Sequence, residues 1–136
     1  MSTSPNRMLG IIFGVIYLLL GVFGFFVTSS VAFTGTSNSI RLLGMFELNP
    51  LQNLLHLAVG VILLLTGLIG IRTAKGVNTV LGAVFLIAGI IGVFLAASGP
   101  NVLAINAADN VLHFLTAVLL LAVGLGAEKS VEPAKA

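Results

Sequence analysis

Cysteine and tryptophan are absent from this 136-residue chain, and charge is scarce: six Lys or Arg and four Asp or Glu make up 7% of it. Without thiols there is no disulfide, no Cys-ligated iron–sulfur cluster and no thiol nucleophile. So few ionised groups, set against 58% hydrophobic residues and a mean hydropathy of +1.19, leave too little polar surface to cover a water-soluble globule. The six cations are scattered rather than clustered with aromatics, so the electrostatic footprint of nucleic-acid binding is missing. Also missing are a Ser/His/acid order, a phosphate loop, an HExxH motif and paired carboxylates, and no enzymatic activity is expected.

What the chain has in abundance is long apolar runs. Four of them, about 8–27, 51–71, 77–97 and 110–126, can each cross roughly 30 Å of hydrocarbon as a helix. The expected fold is therefore an all-α integral membrane protein, a single four-helix transmembrane domain over residues 1–127, with a short, disordered cytoplasmic tail at 128–136. Arg72-Thr73-Ala74-Lys75-Gly76 reads as the turn between the second and third spans; with Arg7, Lys129 and Lys135 it gathers cations on one side. The connections on the other side hold only Arg41, so both termini are expected in the cytoplasm. Ser30-Val31-Ala32 has the small-x-small form of a signal-peptidase site, but the run before it exceeds the usual h-region of about 7–15 residues.

The chain also repeats itself. At an offset of 68 the first run matches the third: Gly14 with Gly82, Tyr17 with Phe85, Gly21 with Gly89, Gly24 with Gly92 and Phe26 with Phe94. At an offset of 57 the second matches the fourth: Asn49, Asn53, Leu55, His56 and Gly67 with Asn106, Asn110, Leu112, His113 and Gly124. Two parallel helical-hairpin repeats, related by a pseudo-two-fold axis along the membrane normal, would produce this pattern. Gly10, Gly14, Tyr17, Gly21 and Gly24 step by four, three, four and three, which puts them on one stripe of the first helix, and Asn78, Gly82, Phe85, Gly89 and Gly92 do the same on the third. Helices in lipid associate by close packing, so these stripes are expected to be packing faces.

On the second and fourth helices the stripes start polar. Asn49, Asn53 and His56, and Asn106, Asp109, Asn110 and His113, would be costly facing lipid and are expected to point into the bundle at one depth. Part of the pattern is capping: Asn49 precedes Pro50 with Gln52 three residues on, and Asn106 has Asp109 three residues on, both resembling capping boxes. For the rest, a hydrogen-bonded plug joining the two repeats needs no ligand. An alternative uses His56 and His113 as axial ligands of a b-type haem, though no second pair and no basic cluster for the propionates accompany them. A metal or proton site from His56, His113, Asp109 and Glu47 is a further alternative, but the inner halves of the spans offer a proton relay nowhere to go. Tyr17 reads as an aromatic packer whose hydroxyl finds one partner. The connection 28–48 begins Ser/Thr-rich and turns apolar from Ile40 to Leu48, as would fit a short hairpin or re-entrant flap beside Val102-Leu103-Ala104-Ile105, or a docking surface.

The duplicated element, Asn49-Pro50-Leu51-Gln52-Asn53-Leu54-Leu55-His56 and Asn106-Ala107-Ala108-Asp109-Asn110-Val111-Leu112-His113, resembles the small four-span bacterial membrane proteins of domain-of-unknown-function family 4383. The similarity runs from about Arg7 to Gly126. It implies a four-helix protein of the bacterial plasma membrane and brings no established activity. The functional expectation is a structural or accessory subunit, in contact with the bilayer and with itself or other membrane subunits, carrying no cofactor.

Overall fold

The computed structural model describes residues 4–97 and 100–128. Its main elements are four helices, α1 (Pro5–Val27), α2 (Pro50–Ile69), α3 (Ile71–Ala97) and α4 (Ala107–Gly126), with a small hairpin of β1 (Ile40–Leu42) and β2 (Phe46–Leu48) between α1 and α2. Each helix is long and apolar enough to span a membrane.

Local chemistry sets the helix boundaries. Ser4 caps α1 by accepting from the Arg7 amide at 3.2 Å, and Pro5 follows at the first helical position, where no N–H is needed. At the other end the Thr28 hydroxyl returns to the Gly24 carbonyl at 2.8 Å. The segment Arg72–Gly76, expected as a turn, is instead the start of α3, six residues before the anticipated beginning of the third span. Gly70, with an extended φ of 168°, reverses the chain alone. The basic side chains can then stay helical because they find carbonyls: Lys75 Nζ donates to Ala127 O (3.1 Å) and Glu128 O (2.9 Å) beyond the end of α4. Arg7 does the same for α2, with Nε to Gly67 O at 2.8 Å and Nη2 to Leu68 O at 3.3 Å. Cations at helix C-termini satisfy the last carbonyls and the helix dipole together.

This end of the molecule also holds a polar layer that hydropathy does not announce. Asn78 Nδ2 donates to Asn6 O (2.9 Å) and Asn6 Oδ1 (3.1 Å), and Asn6 Nδ2 reaches Glu128 Oε2 at 2.7 Å. Burial alone would raise the Glu128 carboxyl, but hydrogen bonds from Ser4 and Asn6 and the charge of Lys75 outweigh it and hold the group below the ordinary carboxylate value. Residues 129–136, expected as a disordered tail, lie outside the described residues.

α1 packs chiefly on α2 and α3 on α4, and the two pairs meet along a lighter junction. Glycine permits the close pairs. A Cβ on Gly14 would lie 2.6 Å from Leu64 N, and one on Gly60 2.6 Å from Leu18 N, both distances that real Cβ atoms do not show. In the second pair, a Cβ on Gly82 would lie 3.0 Å from Leu121 N and one on Gly89 3.0 Å from the Phe114 ring. Gly10, Gly14, Gly21, Gly24, Gly82, Gly89 and Gly92 are all buried. Phe13, Tyr17, Leu63, Phe85, Ala117 and Leu120 form the core at the centre.

At the loop end, β1 and β2 pair antiparallel with Ile40 opposite Leu48, Arg41 opposite Glu47 and Leu42 opposite Phe46. The turn places Leu43 and Gly44 at φ of 55° and 72°, a conformation that glycine adopts freely and leucine does not. Leu43 is nonetheless 76% exposed at the hairpin tip. The first loop lies over the bundle beside the second: ahead of the hairpin Gly35 N donates to Val102 O at 2.8 Å, at its turn Met45 O accepts from Asn106 Nδ2 at 2.7 Å, and Leu48, Ala104 and Ile105 are buried.

Candidate functional site

The polar stripes of α2 and α4 lie under the two loops, with Tyr17 of α1 and Phe85 of α3 between their histidines, and their members divide by what each touches. Asn49 accepts from Gln52 N at 2.9 Å as the α2 cap, and its amide donates to Gly35 O (3.1 Å) and Val102 O (2.8 Å). One fully buried side chain thus closes a helix end and ties the two loops together. Asn106 caps α4 with both halves of a capping box: Asp109 N donates to Asn106 Oδ1 at 3.0 Å, and Asn106 N donates to Asp109 Oδ2 at 2.9 Å. Asn106 is only half-buried, and its amide donates to Met45 O at 2.7 Å.

The α2 motif is not a full capping box, contrary to the sequence pattern. Gln52 makes no return bond to Asn49; with its amide nitrogen turned toward the loops, the orientation its surroundings favour, it donates to Leu103 O and Glu47 O at 2.9 Å each. Glutamine reaches one methylene further than aspartate, and here two loop carbonyls compete for it. Glu47 accepts from the Ser39 hydroxyl within its own hairpin.

One turn deeper, Asn53 Nδ2 donates to Thr28 Oγ1 at 2.8 Å, while Asn53 Oδ1 and Asn110 Oδ1 have no conventional partner. Each amide oxygen instead sits where a Cβ would stand on a facing glycine, Gly24 for Asn53 and Gly92 for Asn110. The glycine Hα therefore points at the oxygen, the arrangement of a weak Cα–H···O contact.

Below the asparagines comes a row of four rings. His56 lies against Tyr17 (centroids 5.4 Å apart), Tyr17 stacks on Phe85 (5.0 Å, 28° between planes), and Phe85 lies against His113 (5.6 Å). The two histidines are 5% and 7% exposed and are linked through the aromatic pair. No haem-binding histidine pair is evident, since each imidazole rests on the edge of this ring row. Among the described residues no group of three or more His, Asp or Glu stands close enough to hold a metal ion. Both histidines also line a cavity of about 360 Å³ between α2 and α3.

The Tyr17 hydroxyl meets Thr116 Oγ1 at 2.9 Å, a bond between α1 and α4 across the core. Sequence reading supplied the tyrosine but not this partner, because a lone threonine in a leucine-rich run gives no signal. Tyr17→Phe removes the bond and leaves Thr116 to its own helix carbonyls. The expected loss is about 1 kcal/mol, read as a modest fall in midpoint in a detergent-denaturation series, with the ring row intact.

The family model described as domain of unknown function (DUF4383) matches residues 7–126, which takes in α2, α3, α4, all but the first two residues of α1, both loops and the polar residues beneath them. The chain belongs to this family. No curated protein and no solved structure matches it. Membership agrees with a small four-span architecture, and the family description assigns no reaction to the layer of Asn49, Asn53, His56, Asp109, Asn110 and His113.

Proposed function

We propose that this chain is a pseudo-symmetric membrane protein with both termini in the cytoplasm, acting without enzymatic activity as an accessory subunit of a larger assembly in the bacterial plasma membrane. Support for the symmetry comes from packing that follows both sequence offsets. Gly14 meets Leu64 as Gly82 meets Leu121; Gly21 meets Leu57 as Gly89 meets Phe114; Gly67 meets Ile11 as Gly124 meets Thr79; and Gly24 meets Asn53 as Gly92 meets Asn110. Arg7, Arg72 and Lys75 gather at the terminal end while Arg41 stands alone at the loop end, which supports a cytoplasmic placement of that terminal end.

The observation that carries the accessory role is a lateral apolar groove of about 620 Å³ on the loop-end half of α1. Ile16, Leu19, Phe23 and Phe26 line it, and Leu42 and Leu43 of the hairpin roof it. From Ile16 to Val27 it follows about 17 Å of helix, the length over which one transmembrane helix packs on another. A roof at the membrane surface would abut the end of a partner helix, and the exposed Leu43 in its strained conformation stands at that place. The groove has no polar side chain to recognise a solute, so the occupant is a transmembrane helix of a partner subunit, held by van der Waals packing.

Purification in mild detergent tests this. A complex larger than the chain is expected, and Leu43→Lys together with Phe23→Ala should release the partner while the helical spectrum is retained. A lone monomer would defeat the accessory role, and a particle made only of this chain would replace it with self-association.

A further inference from the structure

The cavity between the loop-end halves of α2 and α3 differs in kind from the groove on α1. Its volume of about 360 Å³ falls within the range of about 300–1,000 Å³ typical of small-molecule sites. Leu55, Val84, Ile87 and Ile91 line it and are exposed on the bundle surface, so its mouth opens sideways toward acyl chains rather than upward to water. At the back stand His56 and His113, both more than nine-tenths buried. Nδ1 of each is buried with no hydrogen-bond partner.

A neutral imidazole carries one N–H and one lone pair, so a ring with an idle nitrogen has unmet bonding capacity in surroundings where that is unfavourable. The Asn53 and Asn110 oxygens have their glycines; nothing equivalent meets the histidines. The terminal torsion of histidine is broad, so either ring can turn a nitrogen toward the cavity. Apart from these imidazoles no lining residue is ionisable, which leaves a charged headgroup without a counter-charge. His56 also lies seven residues past the Asn49 cap, about 10 Å along the helix, deeper than a phospholipid headgroup sits.

The geometry points to a binding site for an uncharged, membrane-dissolved molecule with a hydrocarbon tail and a hydroxyl headgroup. The tail lies between Leu55 and Ile91, and the hydroxyl bonds to one of the two imidazoles, His56 or His113. A hydroxyl both donates and accepts, so it suits either tautomer of either ring.

The protein carries its own reporter. Tyr17 is its only tyrosine, tryptophan is absent, and the phenol ring lies 5.4 Å from His56. Purified full-length protein in lipid vesicles free of any other protein is titrated with a long-chain alcohol brominated near its hydroxyl, with a bromoalkane of equal length, and with a brominated phosphatidylcholine. The alcohol should quench Tyr17 fluorescence saturably at about tenfold lower concentration than the bromoalkane, the ratio for one net hydrogen bond. Ala88→Phe, which fills the cavity from α3, should abolish saturation, and His56→Phe with His113→Phe should erase the preference for the alcohol. His113→Gln, which keeps hydrogen-bonding atoms there, should retain part of it. Equal quenching by alcohol and bromoalkane, or saturation that survives Ala88→Phe, overturns the proposal. Strongest quenching by the phosphatidylcholine does too, and assigns the cavity to bulk lipid.

Discussion

Gly14→Ala should disrupt the bundle more than any other single methyl group added to it, at a cost of about 3 kcal/mol, near the upper end for overpacking a tight interface. The new Cβ would stand 2.6 Å from Leu64 N and 2.8 Å from Leu64 Cα. Both are backbone atoms, so no rotamer change relieves the clash and α1 must move off α2. Gly60→Ala strikes the same crossing from the other side, 2.6 Å from Leu18 N. Because both open one contact, the double variant should lose clearly less than the two single losses added together. Gly76→Ala is the control: a Cβ there meets nothing within 4 Å, and in the first turns of α3 alanine should be neutral or stabilising by up to about 1 kcal/mol. Unfolding followed by helical circular dichroism, as a denaturing detergent is raised against a mild one, separates the cases. Equal midpoints for the Gly14 and Gly76 variants would show that the crossing is not tight.

Asn49→Ala should come next, with an expected loss of about 2–3 kcal/mol. The helix cap contributes about 1 kcal/mol. The remainder comes from Gly35 O and Val102 O, which lose the donors at 3.1 and 2.8 Å that join the two loops. Asn106→Ala should cost less, because Asn106 is half-buried and its amide ties down only Met45 O. Limited proteolysis of the loop end distinguishes the two: cleavage between Thr28 and Leu48 should accelerate strongly for Asn49→Ala and weakly for Asn106→Ala. Similar rates would mean that the loops are held by apolar contact rather than by the Asn49 amide.

The contrast between these two asparagines marks how far the sequence could be read. Asn49 announces a cap through Pro50, and Asn106 through Asp109, because capping is local and its partners lie within one turn. The amide of Asn49 spans 53 residues to Val102, and nothing in either segment records that. Gln52 was placed wrongly in a capping box because the motif specifies a spacing and not which of several carbonyls wins. Hydropathy locates four spans but sets the third too late: Arg72 and Lys75 look like a loop to any hydrophobicity count, yet their backbone is helical, and Lys75 carries its charge to the carbonyls beyond α4. Asn78 lies on the buried α3 stripe that its spacing predicts, but its partner Asn6, 72 residues away, carries no such signal. Glycine stripes were the most legible feature, because three-and-four spacing converts directly to one helix face.

Gly70 reverses the chain in a single residue between two helix pairs that hold each other only lightly. Each pair is thus nearly complete in itself during synthesis: α1 and α2 can settle against one another in the bilayer before α3 has left the ribosome. What joins the two hairpins is then a short set of contacts, among them Tyr17 with Thr116 and the Asn49 amide with Val102 O. A chain made in this order never has to hold a lone asparagine or histidine helix in lipid for long, because the glycine-lined neighbour is already there for α2 and arrives just ahead of α4.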